Sequence, residues 1–266
     1  MMSVPHRHIR KTLIIPAILS ALVLLWGCGK DSALDRYNRA EALYVEGRYS
    51  EAEAEYAHVA KSFQLSPYAP KSQLRLASIY SLLKENKKAR DAYYALCYTF
   101  PKSPEAVLAR KALARGYSEA GAHRDAIEEY QRAVELAPEE KERLQFLVAM
   151  EYLMMGDLKQ TRAELSVLIK TTQDKSLLAE ALYQTANAYY LEGDMKKAIE
   201  SYDEVIARHR ESQWALDAEF GKAKTLEDSG RLDEALKMFK SLRISYPDKN
   251  VVALRITSIQ KRLSGQ

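Results

Sequence analysis

Six alanines recur along the 266 residues at a nearly constant interval: Ala40, Ala77, Ala114, Ala149, Ala186 and Ala223, spaced 37, 37, 35, 37 and 37 apart. Three further columns keep the same phase. Seven residues after each alanine stands Gly47, Lys84, Gly121, Gly156, Gly193 or Gly230. Five beyond that come Ala52, Ala89, Ala126, Thr161, Ala198 and Ala235, and four further on Tyr56, Tyr93, Tyr130, Leu165, Tyr202 and Phe239. Self-similarity at such a period means that one small unit is stacked on copies of itself, because a single copy cannot bury its apolar face alone. The register confines the chain to a repeat array and points to a binding scaffold, not an enzyme.

The copy from Ser176 to His209 shows what the unit is. Leu178, Leu182, Ala186 and Tyr189 recur at helical spacing, and after Gly193 a second helical pattern carries Ala198, Tyr202, Val205 and Ile206. Glycine at the junction adopts the left-handed conformation that closes a helix. Asp194 then offers an oxygen to the free N–H groups of the next helix. Each unit therefore reads as helix A, tight turn, helix B. The alanines let two helix axes approach, and the aromatic column fills the gap beside them. Tyr80, Tyr117, Tyr152 and Tyr189, each three residues after its alanine, belong to the same seam. Lys84 replaces the expected glycine in the second copy, and Asn86 is expected to supply the left-handed residue there.

This pattern resembles the tetratricopeptide (TPR) repeat: a small residue, a Tyr, a Gly-Asp or Gly-Arg turn, then Ala and an aromatic, with proline at Pro101, Pro138 and Pro247. The resemblance implies an all-α fold, a right-handed superhelix or α-solenoid of six helix-turn-helix repeats over residues 33–247. About thirteen helices are expected. Residues 248–266 read as a C-terminal capping helix, with Val252, Leu254, Ile256, Ile259 and Leu263 on it.

The first thirty residues read as targeting information. Arg7, Arg10 and Lys11 precede an apolar run from Leu13 to Leu25, which is short beside the roughly 20 residues a membrane span needs. The ending Leu25-Trp26-Gly27-Cys28 resembles the bacterial lipoprotein signal. That resemblance implies a signal peptide over residues 1–27, lipidation of Cys28, a short linker over 28–32 and a membrane tether. Gly29 and Lys30 follow the cysteine, which by the sorting rule of such lipoproteins implies the periplasmic face of the outer membrane. Removing residues 1–27 would take three basic residues and no acid, so 40 basic against 36 acidic residues becomes 37 against 36. Nucleic-acid binding, which wants a concentrated basic patch, is not expected.

Reactive chemistry is hard to find. His58, His123 and His209 fall in different repeats with no Cys or His at ligand spacing, so no metal is expected. No phosphate-cradling glycine loop and no nucleophile elbow occurs, and no cofactor or small-molecule substrate is expected. Cys97, left without a partner once Cys28 is lipidated, reads as a small buried thiol.

Binding surface is the more productive question. In the TPR family helix A lines the concave side. The positions three before, one after and four after each alanine share a stripe offset from the seam. In the later copies that stripe holds Phe146, Met150 and Leu153, with Met154 adjacent, then Tyr183, Asn187 and Tyr190. Apolar stripes of this kind mark a groove for a peptide or protein partner. In the third copy it holds Lys111 and Arg115, one helical turn apart, which could grip a carboxylate.

The N-terminal copies also resemble the TPR lipoprotein subunits of outer-membrane β-barrel assembly machines. A lipid cysteine is followed by Gly47-Arg48-Tyr49, the helix start Ser66-Pro67-Tyr68-Ala69, and a break at Phe100-Pro101-Lys102-Ser103-Pro104. The C-terminal half is closer to the TPR module of a Tol–Pal-linked cell-division coordinator. These resemblances imply a lipid-anchored interaction scaffold with a protein or peptide partner in the cell envelope. A pilotin-like role toward a secretin or type IV pilus component is the alternative.

Overall fold

The computed structural model describes residues 31–265, so the expected signal segment and the lipidation residue Cys28 lie outside the described residues. The chain falls into two compact units that part after Ser72. The first contains α1 (Ala33–Val45) and α2 (Tyr49–Ser62), and α3 (Tyr68–Leu82) begins in it. The second takes up the rest of α3 and continues with α4 (Asn86–Thr99), α5 (Pro104–Glu119) and α6 (His123–Leu136). Then follow α7 (Lys141–Met154), α8 (Leu158–Thr171), α9 (Lys175–Glu192), α10 (Met195–Arg208), α11 (Gln213–Asp228), α12 (Leu232–Ser245) and α13 (Lys249–Leu263). Among the described residues these thirteen α-helices, one 3₁₀ turn at Pro138–Glu140 and no strand make up the fold.

The turn between the two helices of a unit is built the same way six times. Gly47, Gly121, Gly156, Gly193 and Gly230 have φ between 75° and 86°, and the next residue donates its N–H to a carbonyl five positions back. In the fifth copy that bond runs from Asp194 to Tyr189 at 3.0 Å. It satisfies a carbonyl that the helix end would otherwise leave free. Asp194 also caps the following helix as expected, its carboxylate accepting from the Lys197 N–H at 3.1 Å. The second copy corrects the expectation placed on Asn86. Lys84 itself takes the left-handed conformation at φ 60°, the only non-glycine among the described residues to do so. Asn86 is already the first residue of α4, because the turn geometry fixes which residue must reverse and leaves no second choice.

The columns are the core. Ala40, Ala77, Ala114, Ala149, Ala186 and Ala223 are all 0% exposed, and the aromatic column runs from 0% at Tyr56 to 8% at Tyr93. A fifth column, three residues after the aromatic, is just as deep: Val59, Leu96, Ala133, Leu168, Val205 and Leu242 are each 0% exposed. Within the second unit successive helices pack on one another, and α9 also touches α7 and α11. This is solenoid-like packing of consecutive helix pairs, with each pair supplying the wall against which the next one closes.

The last helix follows the rule with one change. Ile259 stands eleven residues after its N-cap Asp248, as Ala114 does after Ser103 and Ala223 after Ser212. It therefore occupies the alanine column. Ile259 is fully buried with Val252 against Ala223, Phe239 and Leu242 of α11 and α12. A branched side chain fits because no helix B folds against α13 among the described residues.

Candidate peptide-binding cleft

Three cations stand on α5, and they meet different fates. Arg110 donates to the buried carboxylate of Glu129 at 2.6 Å; Arg132 does so at 2.8 Å and the Tyr94 hydroxyl at 3.2 Å. Glu129 is only 2% exposed, and a charge at that depth survives because its oxygens are paired with ionic donors. The hydroxyls of Tyr94 and Tyr117 share a hydrogen bond of 2.9 Å beside it. Lys111 reaches Glu140 at 2.6 Å. Arg115 is exposed and makes no hydrogen bond or ion pair among the described residues. The expected Lys111/Arg115 pair is thus divided: Lys111 is engaged, and Arg115 alone is left to meet a ligand.

Arg115 faces an open cleft of about 650 Å³ between the end of α3, the first half of α4 and the second half of α5. Arg90 of α4 lines the same cleft, is likewise exposed, and likewise has no polar partner. Tyr93 and Tyr117 supply aromatic walls, and Glu119 is the one acid on the lining. The opening comes from Gly116. It sits inside α5, and a Cβ built there would meet nothing within 4 Å. At the same position in the fourth copy Glu151 fills the space, its carboxylate 2.8 Å from Nδ1 of His123. Two guanidinium groups beside aromatic faces can take carboxylates in two-point contacts and stack on planar groups.

The stripe expected in the fourth and fifth copies has largely been claimed by the fold. Phe146 is 3% exposed and buried with Leu165 and Leu168, so it is core and not groove. Met150 packs on the same cluster, and Leu153 is half-buried. Tyr183 stacks on Trp214 with ring centroids 5.3 Å apart. Asn187 accepts the Tyr202 hydroxyl proton at 2.6 Å and donates to Gln184 at 3.0 Å. Tyr190 donates to Asp228 at 2.6 Å, and burial followed by that carboxylate pushes its pKa up to about 12. Lys224 lies over its ring. Only Met154, at 68% exposure, stands clear in solvent.

These positions are occupied for a structural reason. In the first, fourth and fifth copies the residue after the seam alanine faces the aromatic column of its own helix B. Tyr56 donates to Glu41 at 2.6 Å, as Tyr202 does to Asn187, and the apolar pair Met150 and Leu165 replaces them in the fourth copy. A buried phenol needs an acceptor, and leucine does not.

Cys97 is buried and free, its thiol raised above the ordinary cysteine range by burial. No group of three His, Cys, Asp or Glu side chains that could hold a metal ion occurs among the described residues. No described helix is long and apolar enough to cross a membrane.

Comparison with known proteins agrees with this architecture. Two family models described as tetratricopeptide repeat match, one over residues 180–212 and 217–249 and the other over 37–104, together about half of the chain. The C-terminal part of a TPR repeat-containing protein from Cytophaga hutchinsonii is 16% identical with a TM-score of 0.63, covering 86% of each chain. A structure of MamA is 21% identical with a TM-score of 0.52, covering 67% of this chain and 95% of that one. YrrB, described as a TPR protein with an unusual peptide-binding site, is 16% identical with a TM-score of 0.51 over 70% of this chain and 91% of its own. No curated protein matches the chain in sequence.

Proposed function

We propose, from the premise that the chain belongs to the tetratricopeptide-repeat proteins, that it is a lipid-anchored interaction scaffold of a bacterial cell envelope. Cys28 is the lipidated residue, and the repeats stand in the periplasm at the outer membrane. The Leu25-Trp26-Gly27-Cys28 ending supports the anchor, and the Gly29-Lys30 pair after the cysteine supports the outer-membrane address.

The observation that carries the binding role is the α4–α5 cleft. It is an open space lined by two exposed arginines whose side chains have no polar partner among the described residues. An open cleft of about 650 Å³ can take a peptide segment of a partner, laid against helix faces. YrrB, of similar fold, is described as holding a peptide-binding site. The likeness of the N-terminal copies to barrel-assembly lipoproteins favours a client or subunit of that machinery as the partner.

Crosslinked purification of the lipidated protein from native membranes tests both parts. The wild type should recover barrel-assembly components, and Gly116→Leu, whose Cβ has free space and whose side chain would extend into the cleft, should lose them. Recovery of a secretin or pilus protein instead would move the assignment to a pilotin-like role. Equal recovery by the two proteins would remove the cleft from the function. Cys28→Ala should release the chain from the membrane fraction, and its retention there would refute lipid anchoring.

A further inference from the structure

Lys84 is the only non-glycine among the described residues with a positive φ, at a position where five other copies use glycine. A Cβ in the left-handed region is unfavourable for an ordinary residue, so the sequence keeps a strained lysine where the repeat asks for none. The turn that holds it forms one end of the cleft. Ser81, three residues earlier, and Asn86, two later, both line that cleft. Lys84 is exposed and its side chain makes no polar contact among the described residues, as is true of the side chains of Arg90 and Arg115.

We infer that Lys84, Arg90 and Arg115 form a cationic cradle for an acidic segment of a partner protein, bound through the carboxylates of Asp and Glu side chains. The inference rests on the cleft being the binding site. Three observations meet at one place: an open cavity, two unpaired arginines on different helices, and a strained turn whose residue is a lysine. Elsewhere on α5 the cations are already neutralised, Arg110 by Glu129 and Lys111 by Glu140, so the unpaired positive charge of α5 lies at this mouth. The three cations come from a turn and two helices, which suits several carboxylates along a chain better than one terminal carboxylate. Glu119 is the opposing charge on the lining and limits how far the acidic segment extends.

The probe is a fluorescein-labelled, C-terminally amidated peptide of alternating Glu and Ala, with a Gln/Ala peptide as control. Both are titrated against the full chain at low and moderate salt. The Glu peptide should bind and the Gln peptide should not. Added salt should weaken binding, since the contacts are ionic and open to water. Arg90→Ala and Arg115→Ala should each lower affinity about tenfold, the loss expected of one charge-assisted contact. Glu119→Gln should raise affinity.

Lys84→Gly is the decisive variant. It should melt at a higher temperature than the wild type and yet bind the Glu peptide more weakly, an opposition that misfolding cannot produce. Unchanged affinity in Lys84→Gly, or equal binding of the Gln peptide, would overturn the inference. If Gly116→Leu loses the membrane partner but the Glu peptide neither binds nor competes with that partner, the cleft stands and its acidic ligand falls. If Gly116→Leu keeps the partner and the Glu peptide fails to bind, both fall.

Discussion

The α4–α5 seam and the α10–α11 seam are built from the same columns, yet beside the glycine of helix A one is open and the other is filled. Each has a glycine inside its helix A, and the two glycines sit on opposite sides of the seam alanine. Gly221 precedes Ala223 by two residues, and a Cβ there would lie 2.6 Å from Cζ of Tyr202. Gly116 follows Ala114 by two residues, and a Cβ there meets empty space. In the fifth and sixth copies glycine admits a large ring to the core. In the second and third it leaves a hole at the surface. The same residue thus serves packing in one seam and access in the other, and its side of the alanine decides which.

The largest effect should come from closing the space that is already filled. Gly221→Ala drives a methyl group into the Tyr202 ring, which is 2% exposed and tied by its hydroxyl to Asn187, so the ring cannot swing aside. Overpacking of this kind costs about 2–3 kcal/mol. Urea unfolding should show that loss. Combining it with Tyr202→Leu, the side-chain type that Leu165 supplies in the fourth copy, should recover part of it. A purely additive double variant would mean that the contact between Gly221 and Tyr202 is not the cause.

Removing only the hydroxyl gives a smaller change. Tyr202→Phe leaves the Asn187 carbonyl oxygen without its donor and should cost about 1 kcal/mol. It also alters the alkaline limit. Burial holds the Tyr202 hydroxyl protonated well above the ordinary phenol range, so its folded pKa lies above the unfolded value of about 10. The protonated group's contribution is complete below that value and is lost as pH rises through the folded pKa. Stability should therefore fall above about pH 10, and less steeply in Tyr202→Phe than in the wild type. Identical alkaline slopes would show that other phenols govern that limit, Tyr190 with its pKa of about 12 first among them.

Columns of small and aromatic residues are readable in a sequence because they report backbone approach, which the repeat imposes identically each time. Ala40 through Ala223 are at 0% exposure for that reason, and the turn positions all take positive φ. Lys84 shows the strength of the rule, since the backbone reverses there in spite of the side chain. The site was less legible. Helical spacing places Phe146, Asn187 and Tyr190 on a helix A face, but spacing does not say what stands opposite that face. Opposite Asn187 is a phenol, opposite Tyr190 a carboxylate, and Phe146 faces leucines. Lys111 and Arg115 look alike in the sequence, and only the position of Glu140, in the 3₁₀ turn after α6, separates them. The cleft had one sequence signal that could have been followed: Gly116 lies in a helix and outside the turn column, as Gly221 does.

The smallest expected effect has the opposite sign to the others and tests the open seam. Gly116→Ala adds a methyl group that touches nothing, in a helix interior where glycine is less favourable than alanine by about 0.8–1 kcal/mol. The variant should gain up to about 1 kcal/mol in urea unfolding while Gly221→Ala loses more than that. Such a gain would mean that the chain forgoes easy stability at this position, as it does at Lys84, and both concessions border the same cleft. A loss on Gly116→Ala would mean instead that the cleft closes in solution onto the α5 backbone. The contrast between the two seams would then be one of degree, with Gly116 admitting a neighbour just as Gly221 admits Tyr202.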